Sequence, residues 1–221
     1  MTDPAISDYG AFYSLKKEYP GAGLVTGSWR MGPGSDVARL LVSRIGDRVS
    51  LLDVGANDRG LLPILRDAGF KGEYGSVDSG SGHDSNDFLS MSGKYDCICM
   101  FELLEHLDIE YGLRFMRHAY DLLNSEGVLF ISTPNADHPN HIWRSDITHV
   151  RPWPARDLWA LLVSIGFAKP VEVYRQFIPG TSSSTARHLI RRTLIAPVQK
   201  MIYRLMDMDY AQGVLVIAEK R

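Results

Sequence analysis

Short apolar runs alternate along the chain with longer stretches in which apolar residues recur every three or four positions. Val49–Val54, Glu73–Val77, Tyr95–Phe101 and Val128–Ser132 are runs of strand length bounded by Gly, Asp, Ser or Pro, as expected of strands buried on both faces. Helical segments lie between and around them. Asp36–Ile45 follows Ser35, a good N-cap, and Leu61–Ala68 stops at Gly69. Ile109–Leu123 sets Leu113, Met116, Tyr120 and Leu123 on one face, and a helix opened by Pro154 runs to Ile165, where Gly166 closes it. Strands joined by helices of this length predict right-handed crossovers and an α/β, Rossmann-like doubly wound sheet that is mostly parallel, with helices on both faces. Val171–Phe177 and Gly213–Ala218 are also strand-like, but about 35 residues separate them.

Composition narrows the class. A chain of 221 residues can bury a substantial core, and 45% hydrophobic against 23% charged residues argues against disorder. Near-neutral charge, 24 basic against 26 acidic residues, excludes a generally basic nucleic-acid coat. That balance conceals a split. Residues 181–206 hold Arg187, Arg191, Arg192, Lys200 and Arg204 with no acidic residue, so the rest carries 19 basic against 26 acidic residues, a net −7. No apolar run reaches the length of a membrane span and the polar N-terminus is not a secretory signal, so a cytoplasmic protein is expected. Cys97 and Cys99 share one face of a strand and are expected as buried, reduced thiols.

The strongest chemical feature is the loop after the first core strand, Asp53-Val54-Gly55-Ala56-Asn57-Asp58-Arg59-Gly60. Ligand sites of open parallel sheets lie beyond the carboxyl ends of the strands, and a glycine there lets backbone approach a ligand closely. Asp78 closes the next strand, where a carboxylate can accept two ribose hydroxyls. A dinucleotide loop needs a second glycine where Asn57 stands, and Asp53 and Asp58 place negative charge beside a would-be phosphate. A cationic cofactor without phosphate suits the loop better.

These residues resemble the class I S-adenosylmethionine-dependent methyltransferases, of the small-molecule and glycan-modifying kind. Asp53-Val54-Gly55-Ala56 resembles that family's first motif, and Gly75-Ser76-Val77-Asp78 its ribose-binding second. Asn86-Asp87-Phe88-Leu89 is similar to the adenine-contacting segment after a third strand. Phe101-Glu102-Leu103-Leu104-Glu105-His106-Leu107 is similar to the segment after strand four, and Gly127–Asn135 to the fifth-strand motif. Residues 145–167 resemble the segment before strand six in small-molecule members. The likeness spans roughly 47–219. It departs at Asn57 and Arg59, which take two glycine places, as in a G-x-N-D-x form found in some members. It implies a seven-stranded sheet with an antiparallel last strand. It also implies a cofactor, S-adenosyl-L-methionine, which leaves as S-adenosyl-L-homocysteine, held by Asp53, Gly55, Ala56, Asn57, Asp78, Asp87, Phe88, Phe101, Glu102 and His106. One domain follows: an N-terminal arm at 1–34, a cofactor-binding core at 35–177, a basic helical insertion or lid at 178–212 and the last strand at 213–221.

Methyl transfer needs alignment, exclusion of water and often removal of an acceptor proton. Candidates are His106 beside Glu102 and Glu105, and His149 with Asp146 in a dense segment that also holds Asp137, His138, His141, Trp143, Arg144, Arg151 and Trp153. Asp146 and His149 alternatively bond each other and merely shape the loop. A divalent ion on His138, His141, Asp146 and His149 is a third option, although the spacing matches no zinc pattern and no metal ligand is assigned. Glu102-x-x-Glu105-His106 misses H-x-x-E-H, because Glu102 replaces the first histidine. The leading expectation is methylation, O-methylation first, of a small-molecule, sugar or lipid-linked acceptor. Peripheral membrane contact through 186–206 and a homodimer are both compatible with it, and no nucleic-acid partner is expected. The alternatives are an RNA or protein methyltransferase, disfavoured by the missing Asn/Asp-Pro-Pro-aromatic signature, and a non-catalytic S-adenosylmethionine-binding module. An NAD-dependent oxidoreductase is disfavoured by Asn57. The aromatic-rich arm segment Tyr9–Arg30 is expected either to cover the cofactor site or to pack as a plain arm.

Overall fold

The computed structural model describes residues 8–31, 35–177, 190–206 and 208–221. Strands β1 (Gly23–Thr26), β2 (Ser50–Val54), β3 (Glu73–Val77), β4 (Tyr95–Phe101), β5 (Leu123–Pro134), β6 (Glu172–Phe177) and β7 (Gly213–Glu219) form one sheet in the order β1-β6-β7-β5-β4-β2-β3. Pairing is parallel for β1–β6, β2–β3, β2–β4 and β4–β5, and antiparallel on both sides of β7. Helices α1 (Tyr9–Lys17), α2 (Asp36–Ile45), α3 (Leu61–Asp67), α4 (Ile109–Leu122), α5 (Ala155–Ile165) and α6 (Ala196–Met206) accompany it. Ser35 caps α2 through Ala38 N–H at 3.0 Å, and Gly166 ends α5 at φ +124°, so the punctuation of the sequence acts where it was expected.

Alternation along the strands divides the core into two layers. Leu52, Val54, Ile98, Met100, Leu129, Ile131, Val214 and Val216 face α4, α5 and Phe12 of α1. Leu51, Cys97, Cys99, Val128, Phe130, Leu215 and Ile217 face α2, α3 and Trp29. Both cysteines are buried and unbonded to each other, and burial pushes the Cys97 thiol up to about 12.

Seven strands and an antiparallel last one are present, but the seventh strand has an unexpected source. The third strand that the resemblance places ahead of Asn86 is absent from the described residues. There the chain makes one isolated bridge, Val77–Ser85, and Asp84 accepts the Ser76 N–H at 2.7 Å. A side-chain carboxylate thus occupies one donor of the β3 edge where a further strand would pair. The N-terminal arm supplies the missing member at the opposite edge, where β1 runs beside β6 with Gly23 against Tyr174 and Thr26 against Phe177. Lys16–Asp157 (2.5 Å), Lys169–Glu18 (2.6 Å) and an edge-to-face contact of Tyr19 with Trp159 hold the arm on α5.

α6 sits beyond β6, where Tyr203 lies under the Arg175 guanidinium, 3.2 Å from ring centroid to Cζ, and Asp209 pairs with Arg175 at 3.6 Å. Of the five basic residues in 181–206, Arg187 and the side chains of Arg191, Arg192 and Lys200 lie outside the described residues.

One close approach matters for the site. A Cβ on Gly112 in α4 would lie 2.4 Å from Trp153 Cζ2, and Trp153 donates its indole N–H to Leu104 O at 2.7 Å. Gly112→Ala therefore has to displace a buried ring, and it should lower unfolding stability by about 1–3 kcal/mol despite alanine's better helix propensity. A urea midpoint equal to or above that of the wild type would contradict this packing.

Candidate active site at the carboxyl edge of the sheet

Strands β2 to β5 end in register, Val54 beside Val77 and Met100, and Phe101 beside Ser132. Their following loops therefore open on one edge, around a cleft of about 870 Å³. Gly55, Asn57, Asp78, Phe101, Glu102, Glu105, His106, Asp146 and His149 line it. Strand register thus brings together the residues from Gly55 to His106, and Asp146 and His149 come from a segment laid across them.

The first wall is the glycine loop. Gly55 has φ +77° and a Cβ there would lie 3.0 Å from Leu103, so conformation and space both require glycine. Asn57 also adopts the left-handed region (φ +44°) and donates its backbone N–H to Asp78 Oδ2 at 2.8 Å. Burial raises the Asp78 carboxyl, but the N–H groups of Asn57 and Gly80 outweigh it and hold the group below its ordinary value. Asp78 is thus a fixed carboxylate at the end of β3. Asp58 turns back to accept Gly60 N–H at 2.9 Å, placing negative charge at the start of α3. Asp53 lies beneath this wall, not on it. It is 4% exposed, accepts the Tyr74 hydroxyl at 2.6 Å, and burial pushes its carboxyl up to about 6.

The opposite wall is a short turn, Leu104–His106, with the segment 142–153 laid across it. Val150 and Arg151 donate backbone N–H groups to Glu105 O at 2.7 and 3.3 Å, beside the Trp153–Leu104 bond. Glu102 enters the turn at φ +50° and accepts the Ser132 hydroxyl at 2.6 Å. It is open to solvent in the cleft yet walled by protein, and this desolvation raises its carboxyl against the pull of Ser132, Arg30, His149 and His106. Glu105 is 1% exposed. Burial first, then the charge of Glu102, pushes it up to about 8. Thr133 is close enough to favour its anion, but neither carboxylate oxygen of Glu105 nor Thr133 Oγ1 has a hydrogen-bond partner of normal geometry.

The two imidazoles lie edge to face, 4.9 Å between ring centres. His106 Nδ1 is 3.2 Å from Thr148 O and His149 Nδ1 is 2.6 Å from Trp143 O. A carbonyl can only accept, so each Nδ1 carries the proton and each neutral ring keeps an Nε2 lone pair. Asp146 does not bond the His149 ring, as one expectation had it. Its Oδ1 accepts Thr148 N–H and Oγ1–H at 2.8 and 2.6 Å, which holds the carbonyl that His106 uses.

Residues 12–170 match the family described as Methyltransferase domain. The chain belongs to that family. No curated protein matches the sequence of this methyltransferase significantly. Among solved structures it is similar to a SAM-dependent methyltransferase from Archaeoglobus fulgidus (TM-score 0.60, 16% identity, 95% of this chain and 99% of that one). It is also similar to an S-adenosylmethionine-dependent methyltransferase from Mesorhizobium loti (0.55, 15%, 83% and 95%) and to magnesium protoporphyrin IX methyltransferase from Synechocystis with bound SAM (0.51, 13%, 100% and 86%). At these identities the likeness carries the fold, and family membership makes the chain an S-adenosylmethionine-dependent methyltransferase. The site fits that cofactor. The Gly60 N–H, at the start of the helix that would cradle a pyrophosphate, is taken by Asp58, whereas Asp78 lines the cleft as a carboxylate fixed by Asn57 and Gly80, and the carboxylate-rich cleft suits a sulfonium.

Among the remaining sequence candidates, Ala56, Asp87 and Phe88 do not line the cleft. Ala56 is buried and donates its backbone N–H to Val77 O, and Phe88 packs on Phe115 and His118 in the core. Asp87 is exposed and caps the turn at Phe88–Ser90 through Leu89 N–H. The proposed ion set is not assembled either. His138 is buried against Tyr210 and accepts Asn140 N–H, while the described residues that lie within ligating reach of one another are Glu105, His106 and His149. Of the segment Tyr9–Arg30, expected to cover the site or to pack as a plain arm, Ser28, Trp29 and Arg30 line the cleft, whereas Gln176 and Gln212 were not singled out from sequence. Trp29 stacks on Phe101 at 5.8 Å, so the arm forms part of the cleft wall. The aromatic density of Tyr9–Arg30 was the signal available.

Asp53 offers a test that separates support from contact. Its folded carboxyl titrates near 6, above the ordinary value of 3.8, so the stability it contributes is present below about pH 3.8 and lost as the pH rises through 6. Asp53→Asn keeps an acceptor for Tyr74 and carries no charge. Near pH 4 the variant should be less stable by about 1 kcal/mol, the cost of its unpaired amide N–H groups, and by pH 7 the ionisation cost of Asp53 should turn that into an advantage of about 1–2 kcal/mol. Denaturant unfolding at both pH values checks this, and parallel curves would refute it.

Proposed function

We propose that this methyltransferase O-methylates a small-molecule, sugar or lipid-linked acceptor whose hydroxyl lies against the Glu102, Glu105, His106 and His149 end of the cleft. The observation that carries the reading is the pair of imidazoles whose Nδ1–H groups are spent on carbonyls, leaving two lone pairs beside two carboxylates in a cleft that ends at Asp78. S-adenosylmethionine supplies an electrophilic methyl on a sulfonium and, bound in the cleft, would pass that methyl to the acceptor oxygen, the C–S bond breaking as the O–C bond forms and leaving its electrons on sulfur. Asp78 binds the ribose hydroxyls, Gly55 and Asn57 bring backbone against the cofactor, and Phe101 with the stacked Trp29 excludes water. The hydroxyl proton passes to the cluster, where His149, His106 and the carboxylates are the acceptors and Asp146 keeps the Thr148 carbonyl in place. Four carboxylates on the lining, Asp78, Glu102, Glu105 and Asp146, weigh against a polyphosphate acceptor such as RNA.

Calorimetry with S-adenosylhomocysteine should show one site. Asp78→Ala should weaken it about 10- to 100-fold, the worth of one or two hydrogen bonds to a charged group, whereas His149→Ala should leave that affinity intact and cut turnover at least about 100-fold. Unchanged affinity in Asp78→Ala would remove the ribose assignment. Cofactor binding with no methyl transfer to any labelled sugar, lipid or small-molecule acceptor would favour a binding module.

The segment ending in α6 supports delivery of such an acceptor at an anionic membrane surface. Ile190, Leu194, Val198, Met201 and Leu205 are exposed, Leu205 at 76%, in a stretch whose charges are all positive. Met201→Ser with Leu205→Ser should abolish salt-sensitive binding to phosphatidylserine vesicles without changing cofactor affinity. Vesicle binding that survives both changes would remove this route.

A further inference from the structure

We propose that Glu105, His106 and His149 form a binding site for a divalent transition-metal cation at the acceptor end of the cleft. One ligand atom from each lies within 4.8 Å of the others. A shared cation at bonding distances of about 2.0–2.2 Å would draw the three side chains in toward a common centre.

Three independent features fit a cation. The first is Glu105. It is 99% removed from solvent, lines the cleft, and has no donor on either carboxylate oxygen, although an unpartnered buried carboxylate costs several kcal/mol. The second is the orientation of the histidines. Each spends its Nδ1–H on a backbone carbonyl, Thr148 O or Trp143 O, which fixes the tautomer with Nε2 as donor to a metal. The third is charge. Glu102, whose side chain opens on the cleft, neighbours Glu105 at the same turn, and a cation beside Glu105 relieves the repulsion between the two carboxylates. Two imidazoles and a carboxylate suit Mn²⁺, Fe²⁺, Co²⁺ or Zn²⁺ better than Ca²⁺ or Mg²⁺, which prefer all-oxygen shells.

The site deepens the O-methylation reading and rests on it for its catalytic role. Three protein ligands leave positions open, so an acceptor hydroxyl bound there loses its proton more readily. In the metal-loaded protein the imidazole lone pairs are engaged, so of the proton acceptors named above Glu102 takes the proton and the histidines act as ligands instead. Metal binding itself does not depend on that role.

Chelator-treated full-length protein is titrated separately with MnCl₂, CoCl₂ and ZnCl₂ and followed by calorimetry, Co²⁺ visible absorption and melting temperature. S-adenosylhomocysteine binding is measured on every sample. One equivalent should bind with a Kd below about 10 µM and raise Tm by about 5 °C at saturation. Glu105→Gln and His149→Ala should each weaken binding at least tenfold while retaining S-adenosylhomocysteine affinity, and His141→Ala, an exposed histidine outside the set, should not. If Glu105→Gln fails to fold, His149→Ala carries the same comparison. Absence of stoichiometric binding in the wild type, or equal affinity in Glu105→Gln and His149→Ala, overturns the proposal even where S-adenosylhomocysteine binds. Metal binding without S-adenosylhomocysteine binding upholds the site and sinks the cofactor assignment instead.

Discussion

Three donors converge on two successive carbonyls at the start of the Leu104–His106 turn: the Trp153 indole on Leu104 O, and the Val150 and Arg151 N–H groups on Glu105 O. The acceptor side of the cleft follows from this clasp. Without it, residues 142–153 would be a long exposed loop, and long loops have no reason to keep one conformation. With it, Thr148 O and Trp143 O are held where they orient two imidazoles, and His149 is brought across to His106. The clasp also explains Gly112, because the α4 backbone must come close to the Trp153 ring for the indole to reach its acceptor. A packing constraint in the core is thereby converted into the tautomeric state of two surface-facing rings.

The two halves of the cleft are built on different physics. On the cofactor side, backbone geometry does the work. Positive φ at Gly55 and Asn57 turns N–H groups toward Val77 O and Asp78, and those hydrogen bonds keep Asp78 ionised. On the acceptor side, desolvation dominates, raising both Glu102 and Glu105. A carboxylate that stays charged serves neutral hydroxyls and a sulfonium, whereas carboxylates under strain call for a proton or a cation. The roughly 870 Å³ between them spans both environments.

Much of this was legible beforehand. Strand and helix positions followed from periodicity because buried strands and capped helices are local signals, as Ser35, Pro154 and Gly166 show. The motif order placed Gly55, Asn57, Asp78, Phe101, Glu102 and His106 on one edge, since parallel register guarantees that strand ends coincide. What stayed hidden depends on side-chain direction and long-range docking. Asp53 is adjacent to Gly55 in the motif, yet strand alternation turns it onto Tyr74 and away from the cleft wall. Glu105 reads as one acid among several until its burial is known. His138 and His141 stood beside His149 as possible ion ligands, but the clasp decides which histidine reaches the turn. The arm strand was invisible because Gly23–Thr26 is too short to carry a pattern and finds its partner far along the chain.

That distance bears on how the molecule is made. Gly23 pairs with Tyr174, about 150 residues later, so the first strand to leave the ribosome has no neighbour until almost all of the sheet has been synthesised. Closing so large a loop is entropically slow, and contacts of such separation tend to form late. Trp29 is tied to this docking, because it follows β1 by only a few residues and can meet Phe101 only once the edge is in place. Late docking of β1 would complete this wall of the cleft last, after the strands that carry Gly55, Asp78 and Glu102 have paired.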